Sequence, residues 1–165
     1  SVELWDEHLK RGKRINALGN TDAHLPHAVG DVWTGVMSDE LSMEGVLDAV
    51  RVGNVFVSDG PIVDITVEVD GTHIAGMGQT LCTTKRPLTV RVLAADSVGL
   101  QGVRLLRDGV VIREWRANNG FRLGDQALST SLADNEADST TRYYRLECRA
   151  TDGRRAFTNP VYIRA

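Results

Sequence analysis

Residues 62–165 consist of short runs in which apolar and polar side chains alternate, with turn-forming pairs between the runs. The clearest hairpin signal is Asp108-Gly109, which separates the runs 103–107 and 110–115. A period of two directs one face of each run towards a core and the other towards solvent. Roughly six or seven such runs predict an antiparallel β-sandwich of immunoglobulin-like type. The chain lacks the Cys…Trp…Cys pattern of antibody domains, so the prediction covers the architecture alone.

Residues 1–61 show a different pattern, in which helix and strand signals alternate. The expected elements are a helix at 2–12, a strand at 14–18, a long loop at 19–36, a helix at 42–53 and a strand at 54–58. Ser42 suits the N-cap of the second helix, and Gly53 suits its end. Two strands are too few to close a sheet, so we expect this α/β part to be incomplete. The predicted fold is therefore mainly β, divided at residues 61 and 62.

Asp22 and His24 follow directly on the predicted strand. In α/β folds, ligands and catalytic groups collect beyond the carboxyl ends of strands. An extended Asp-x-His would direct both side chains the same way, and a carboxylate beside an imidazole makes half of a metal site. On these residues alone, an ordinary loop remains the alternative.

Three neighbouring polar residues are weaker candidates. Asn20 and Thr21 could hydrogen-bond the metal ligands, or they could be turn residues that bond the local backbone. His27 could contact metal or substrate, or it could be a plain loop histidine.

Composition excludes some functions. The 165 residues carry a net charge of −3, with 42% hydrophobic residues and a pI near 5.8. No basic stripe indicates a nucleic-acid partner, and no apolar run approaches the ~18 residues of a membrane span. Cys82 and Cys148 are expected to be buried thiols, with a disulfide as the alternative in an oxidising compartment. The chain starts without Met and within a helical pattern, so we expect a piece of a longer protein.

The first sixty residues resemble the C-terminal end of PHP-domain metal-dependent phosphoesterases, and within them the branch of CehA/McbA-type metallohydrolases. The residues that carry the resemblance, in chain order, are Trp5-Asp6, Leu9, Gly12, Gly19-Asn20-Thr21-Asp22-Ala23-His24, Gly30, Trp33-Thr34, the helix from Ser42 and the run from Arg51 to Pro61. Their order and spacing are specific, whereas Asp-x-His alone is not.

The resemblance implies a distorted (β/α)7 barrel with two or three divalent metals, such as zinc, manganese or iron. It implies that residues 1–61 are the last part of that barrel and that Asp22 and His24 are its last ligand pair. The remaining ligands of the family, among them an early His-x-His, come from earlier strands. The implied activity is hydrolysis of a phosphoester, or of a related ester or carbamate, by a metal-activated water.

Two hypotheses follow for the chain. In the first, it is the C-terminal part of a metal-dependent hydrolase, whose partners are the missing part of the barrel and a small ester substrate. This fragment alone would then hold metal weakly and be inactive. In the second, it is a non-catalytic structural or interaction module.

Residues 1–61 could pack back on the sandwich, pair with a second copy in a homodimer, or be disordered. We favour packing through the 42–53 helix and the 54–58 strand.

Overall fold

The computed structural model describes residues 2–24, 26, 29–117, 119–122 and 125–165. Strands dominate this part of the chain. Its elements are α1 (Val2–Lys10), β1 (Trp33–Val36), α2 (Met43–Val52), β2 (Val55–Ser58), β3 (Ile62–Val69), β4 (His73–Ala75), β5 (Thr80–Cys82), β6 (Leu88–Ala95), β7 (Leu100–Arg107), β8 (Val110–Ala117), β9 (Gly120–Phe121), β10 (Ala127–Asp134), β11 (Tyr143–Ala150), β12 (Arg155–Thr158) and β13 (Val161–Arg164).

The strands form two sheets that share one core. The larger sheet has the order β1-β2-β12-β11-β7-β8-β9, with β13 pairing β11 and β5, and the smaller sheet has the order β10-β6-β3-β4. The pairs β5–β13 and β8–β9 are parallel and the other described pairs are antiparallel. Val67 and Val90 of the smaller sheet and Leu105 and Leu146 of the larger one lie in the same buried cluster. The prediction of a mainly β fold with antiparallel sheets is confirmed.

Local signals located two elements well. The Ser42 hydroxyl accepts a hydrogen bond from the Gly45 N–H at 3.0 Å, as an N-cap does, and Gly53 ends α2 with a φ of 91°. A positive φ is strained for residues with a Cβ, which explains the glycine. The hairpin at Asp108-Gly109 joins β7 to β8, with Arg107 opposite Val110.

The predicted strand at 14–18 is wrong, because these residues belong to no strand and form no ladder with a neighbouring one. Ile15 is 38% exposed and Leu18 is 56% exposed, so this short apolar run is not buried either. The apolar pattern indicated a strand, but without a neighbouring strand the backbone cannot form a ladder.

Two boundaries also differ from the sequence-based expectations. The loop predicted at 19–36 ends in β1, whose Trp33 packs edge-on against Phe56 with ring centroids 5.5 Å apart. The sequence pattern also predicts one last strand over 156–163, whereas the structure divides it into β12 and β13 around Asn159-Pro160. Proline has no N–H to donate to a ladder, which favours a break there.

Residues 1–61 contact the rest of the chain unevenly. β2 lies in the larger sheet beside β12, with Phe157 opposite Val57, so the expected packing through this strand is confirmed. Packing through α2 is limited to its end: the helix contains no buried residue and lies next to β1, but its last residue, Val52, approaches Gly78, where an added Cβ would lie 2.1 Å from the Val52 carbonyl oxygen. One face of this helix is therefore open.

The two cysteines are free thiols in different environments. Cys148 is buried as expected, whereas Cys82 is exposed, which corrects the expectation of two buried thiols. Neither described helix is long and apolar enough to cross a membrane.

Candidate metal-ligating segment

Residues 14–22, here called the strap, are held by side chains from distant parts of the chain. The Asn159 Oδ1 accepts a hydrogen bond from the Ala17 N–H at 2.7 Å, and its Nδ2 donates to the Ala17 carbonyl at 3.2 Å. The same Nδ2 lies 3.3 Å from the Gly53 carbonyl, and Asn159 is 1% exposed. One buried amide thus binds the backbone of the strap in the way that a neighbouring strand would.

Two threonines continue this arrangement beside β1. The Thr34 hydroxyl accepts from the Gly19 N–H at 2.8 Å and donates to the Gly19 carbonyl at 3.0 Å. The Thr21 hydroxyl donates to the Val32 carbonyl at 2.8 Å and accepts from the Val32 N–H at 3.2 Å. A Cβ at Gly19 would lie 2.2 Å from the Trp33 carbonyl oxygen, so this close approach requires glycine.

The start of the strap is tied to α1 and to β13. The Trp5 Nε1 donates to the Ile15 carbonyl at 2.9 Å, and the Arg14 guanidinium lies 4.1 Å from the centre of the Tyr162 ring. The strap therefore has fixed contacts near both ends, although it forms no sheet ladder.

Asp22 ends the strap and His24 follows it two residues later, and both are exposed. Asp22 has a φ of 48°, and its N–H donates to the Asn20 Oδ1 at 2.9 Å, which makes a local turn. The expectation of an extended Asp-x-His is therefore wrong, since a left-handed residue interrupts the strand alternation.

The weaker candidates have structural roles here. The Asn20 Oδ1 accepts a hydrogen bond from the Asp22 N–H, and the Thr21 hydroxyl donates to the carbonyl of Val32, which directly precedes β1. These are the contacts of turn and packing residues. Their role around a metal stays a prediction. His27 lies outside the described residues.

The described part of the chain does not provide a metal site by itself. It contains no group of three or more His, Cys, Asp or Glu side chains that could hold an ion. A structural zinc site uses four protein ligands and a catalytic one usually three. His8 lies on α1 and His73 on β4, so neither joins the pair. Asp22 and His24 thus do not fit a metal without further ligands.

Two kinds of contact were not anticipated from the sequence. One is made by the buried Asn159. The sequence signal that could have found it is a polar residue directly before proline within an apolar run. The other is the pairing of Arg145 with Asp6, at 2.9 and 2.6 Å, which attaches α1 to β11. No local pattern predicts a pair separated by this length of chain.

Residues 8–55 match the family model described as PHP-associated. The match covers less than half of the 165-residue chain, includes both Asp22 and His24, and ends before β3. It supports a PHP-associated domain, and residues 8–55 are called the PHP-associated segment below. No curated protein and no solved structure matches the chain.

Proposed function

We propose that this chain is the C-terminal part of a metal-dependent hydrolase related to the PHP phosphoesterases. The match of the PHP-associated segment, which contains Asp22 and His24, is the observation that carries the proposal. The finer assignment to the CehA/McbA-type branch rests on the sequence resemblance given above. In this proposal residues 1–61 are the end of an incomplete (β/α)7 barrel, and residues 62–165 form an immunoglobulin-like accessory sandwich.

Asp22 and His24 supply two metal ligands in the intact protein. A carboxylate oxygen and an imidazole nitrogen suit borderline ions such as zinc, manganese and iron. When bound, such a metal supplies Lewis acidity and an activated water for hydrolysis of a phosphoester, or of a related ester or carbamate. The contribution of this chain is to present the two ligands at the end of an anchored strap.

The principal partner in this proposal is the preceding part of the barrel. The supporting observation is the exposed apolar surface of the PHP-associated segment. Side chains at least 45% exposed include Leu18, Leu41, Met43, Leu47 and Val52. Large exposed apolar surfaces often mark interaction sites, so the number of exposed apolar side chains in this segment supports a partner here.

The alternative function is a non-catalytic structural or interaction module. The observation that favours it is the shared core of the two sheets, which is well buried without any other chain. The described residues also contain no complete group of metal ligands. This reading fits a fragment that has no activity of its own.

Metal analysis of the purified chain tests the fragment prediction. After dialysis against a weak chelator, we expect metal well below one ion per chain, because two exposed ligands bind weakly. Stoichiometric zinc or manganese that resists chelator would contradict it.

A second experiment uses the longer protein. Asp22→Ala is expected to remove most metal-dependent hydrolysis of a generic phosphodiester, since it deletes a ligand. Asp31→Ala removes another exposed carboxylate of the PHP-associated segment and serves as the control. Unchanged turnover of the Asp22 variant at saturating metal would contradict the proposed role.

A further inference from the structure

A cleft of about 1050 Å³ opens on the outer face of the larger sheet. Strands β7, β8, β11 and β12 form its floor, and the first turns of α1, with Val2, Glu3 and Asp6, border it. Pockets that hold small molecules commonly have about 300–1000 Å³. The cleft is therefore large enough for a small organic ligand.

Three arginines of the cleft stand in one row across four strands. Arg155 is opposite Arg149, Arg149 is opposite Gly102, and Gly102 is opposite Arg116. Directly opposed residues share a face of the sheet, so the three side chains project into the cleft together. All three arginines are exposed and line it.

Gly102 leaves a gap in the middle of this row. Strands are spaced about 4.8 Å apart, so the backbones of Arg149 and Arg116 stand about 10 Å apart on either side of Gly102. A Cβ at Gly102 would have the Trp115 carbonyl oxygen at 3.7 Å, an ordinary contact distance. The glycine is thus not required by packing, and its effect is to leave the floor of the cleft open beside Arg149.

Several carboxylates of the cleft already form ion pairs with arginines. Glu147 lies 2.8 Å from Arg145 and is also bound by Arg104. Asp6 is 2.6 Å from Arg145, and Glu114 is 2.8 Å from Arg116.

Arg149 and Arg155 form no ion pair within the described ranges of the chain. Arg155 instead lies with its guanidinium 5.7 Å from the centre of the Phe157 ring. Like charges placed directly opposite each other on a sheet are destabilising. An anion between them removes this repulsion.

We propose that this cleft binds the phosphate group of a small organic phosphate, seated against Arg149 and Arg155 beside the open floor at Gly102. Guanidinium groups match phosphate oxygens with paired hydrogen bonds, and several of them can surround a tetrahedral dianion. A planar carboxylate is satisfied by one such group, so the row favours phosphate. The site goes beyond the proposed hydrolytic function and does not depend on it.

Titration of the whole chain with phenyl phosphate, followed by amide NMR at fixed ionic strength, tests the proposal. We expect saturable shifts at Gly102 and its strand neighbours. Arg149→Gln should weaken binding at least tenfold, because it removes an unpaired guanidinium. Gly102→Val should block binding while every charge remains, since it fills the floor with a residue that strands favour.

The control is Arg51→Gln, which removes the same charge from α2, where Arg51 pairs with Asp48 at 2.7 Å. It should bind as the original chain does. Circular dichroism verifies that each variant is folded. Absence of saturable shifts in the original chain, wild-type binding by folded Arg149→Gln or Gly102→Val, or equal binding of benzoate would overturn the proposal.

Discussion

A buried side-chain amide holds the middle of the strap. Asn159 and Ala17 are 142 residues apart in the chain, yet two hydrogen bonds join them. Ala17 is partly buried, and a buried backbone group without a partner costs about 1–3 kcal/mol, so its N–H and carbonyl need partners that no strand supplies. The side chain of Asn159 provides them, and that of Thr34 does the same for Gly19. Asp22 and His24 consequently extend from a segment whose position is fixed by residues outside it.

The buried thiol of Cys148 makes the free energy of unfolding depend on pH in the alkaline range. Burial raises the pKa of its thiol to about 12, with a smaller contribution from Asp96. The thiol of a cysteine in the unfolded chain has a pKa of about 8.5. Above that pH the unfolded chain has lost a proton that the folded chain keeps, so the free energy of unfolding falls as pH rises towards 12. Burial also raises the pKa of Tyr143 to about 12, which acts in the same direction.

We therefore predict that Cys148→Ala reduces the steepness of this fall between pH 8 and 11. Urea unfolding at a series of pH values measures it, and the slope is compared because the substitution also leaves a small cavity. The control is Cys82→Ala, which removes the exposed thiol and keeps the buried one. An unchanged slope in Cys148→Ala would contradict the prediction.

At the scale of elements, α1 is attached to the larger sheet by charge and by packing. Leu9 is 2% exposed and lies against Tyr143 and Tyr162. Arg145, whose side chain is fully buried, is bound by Asp6 from the helix and by Glu147 from its own strand. A buried arginine requires such partners, because an unpaired charge in the interior is costly. The helix therefore belongs to the packing of the sandwich.

The expected cost of Asp6→Ala is about 3 kcal/mol in the free energy of unfolding. This is near the low end for breaking a buried ion pair, because Glu147 still faces Arg145. Chemical denaturation measures the cost, and a cycle with Arg145→Met isolates the coupling of the pair.

The matched control is Glu7→Ala, on the same helix. Glu7 lies 3.9 Å from Arg11, and both side chains are more than 60% exposed. Exposed pairs contribute about 0–1 kcal/mol. Equal losses in the two variants would show that Arg145 does not depend on Asp6.

At the scale of the whole molecule, the core and the open surface lie in different parts of the chain. The main buried cluster is built largely from β3–β13, whereas α2 buries no residue. Met43 is 75% exposed and Leu47 is 45% exposed, on the helix that precedes β2. We expect this surface to cause reversible self-association of the isolated chain, because burying apolar area is favourable.

Sedimentation velocity over a range of concentrations measures the association. Leu47→Glu should shift the equilibrium towards monomer, since it places a charge on the surface of α2. Val110→Glu, at an exposed position of the β7–β8 hairpin, is the control and should leave the equilibrium unchanged. A monomer at every concentration would argue against this interface.

The sequence predicted the elements whose signals are local. Ser42 and Gly53 marked the ends of α2, and Asp108-Gly109 marked a hairpin, because caps and turns depend on a few neighbouring residues. The sequence did not predict the short strands β4 and β9, because strands of two or three residues show little alternation of apolar and polar side chains. Asp22 and His24 were selected from their residue types and their setting, whereas the left-handed backbone at Asp22 could not be read from that pattern.

The sequence by itself determined that the chain is mainly β, where α2 begins and ends, and which two residues could ligate a metal. Only the tertiary structure decided that the strap forms no ladder, that Arg145 is paired with α1, and that three arginines share one row. The physical reason is the range of the interactions. Period and capping depend on neighbours a few residues apart, whereas Asn159 and the arginine row depend on groups brought together by sheet register.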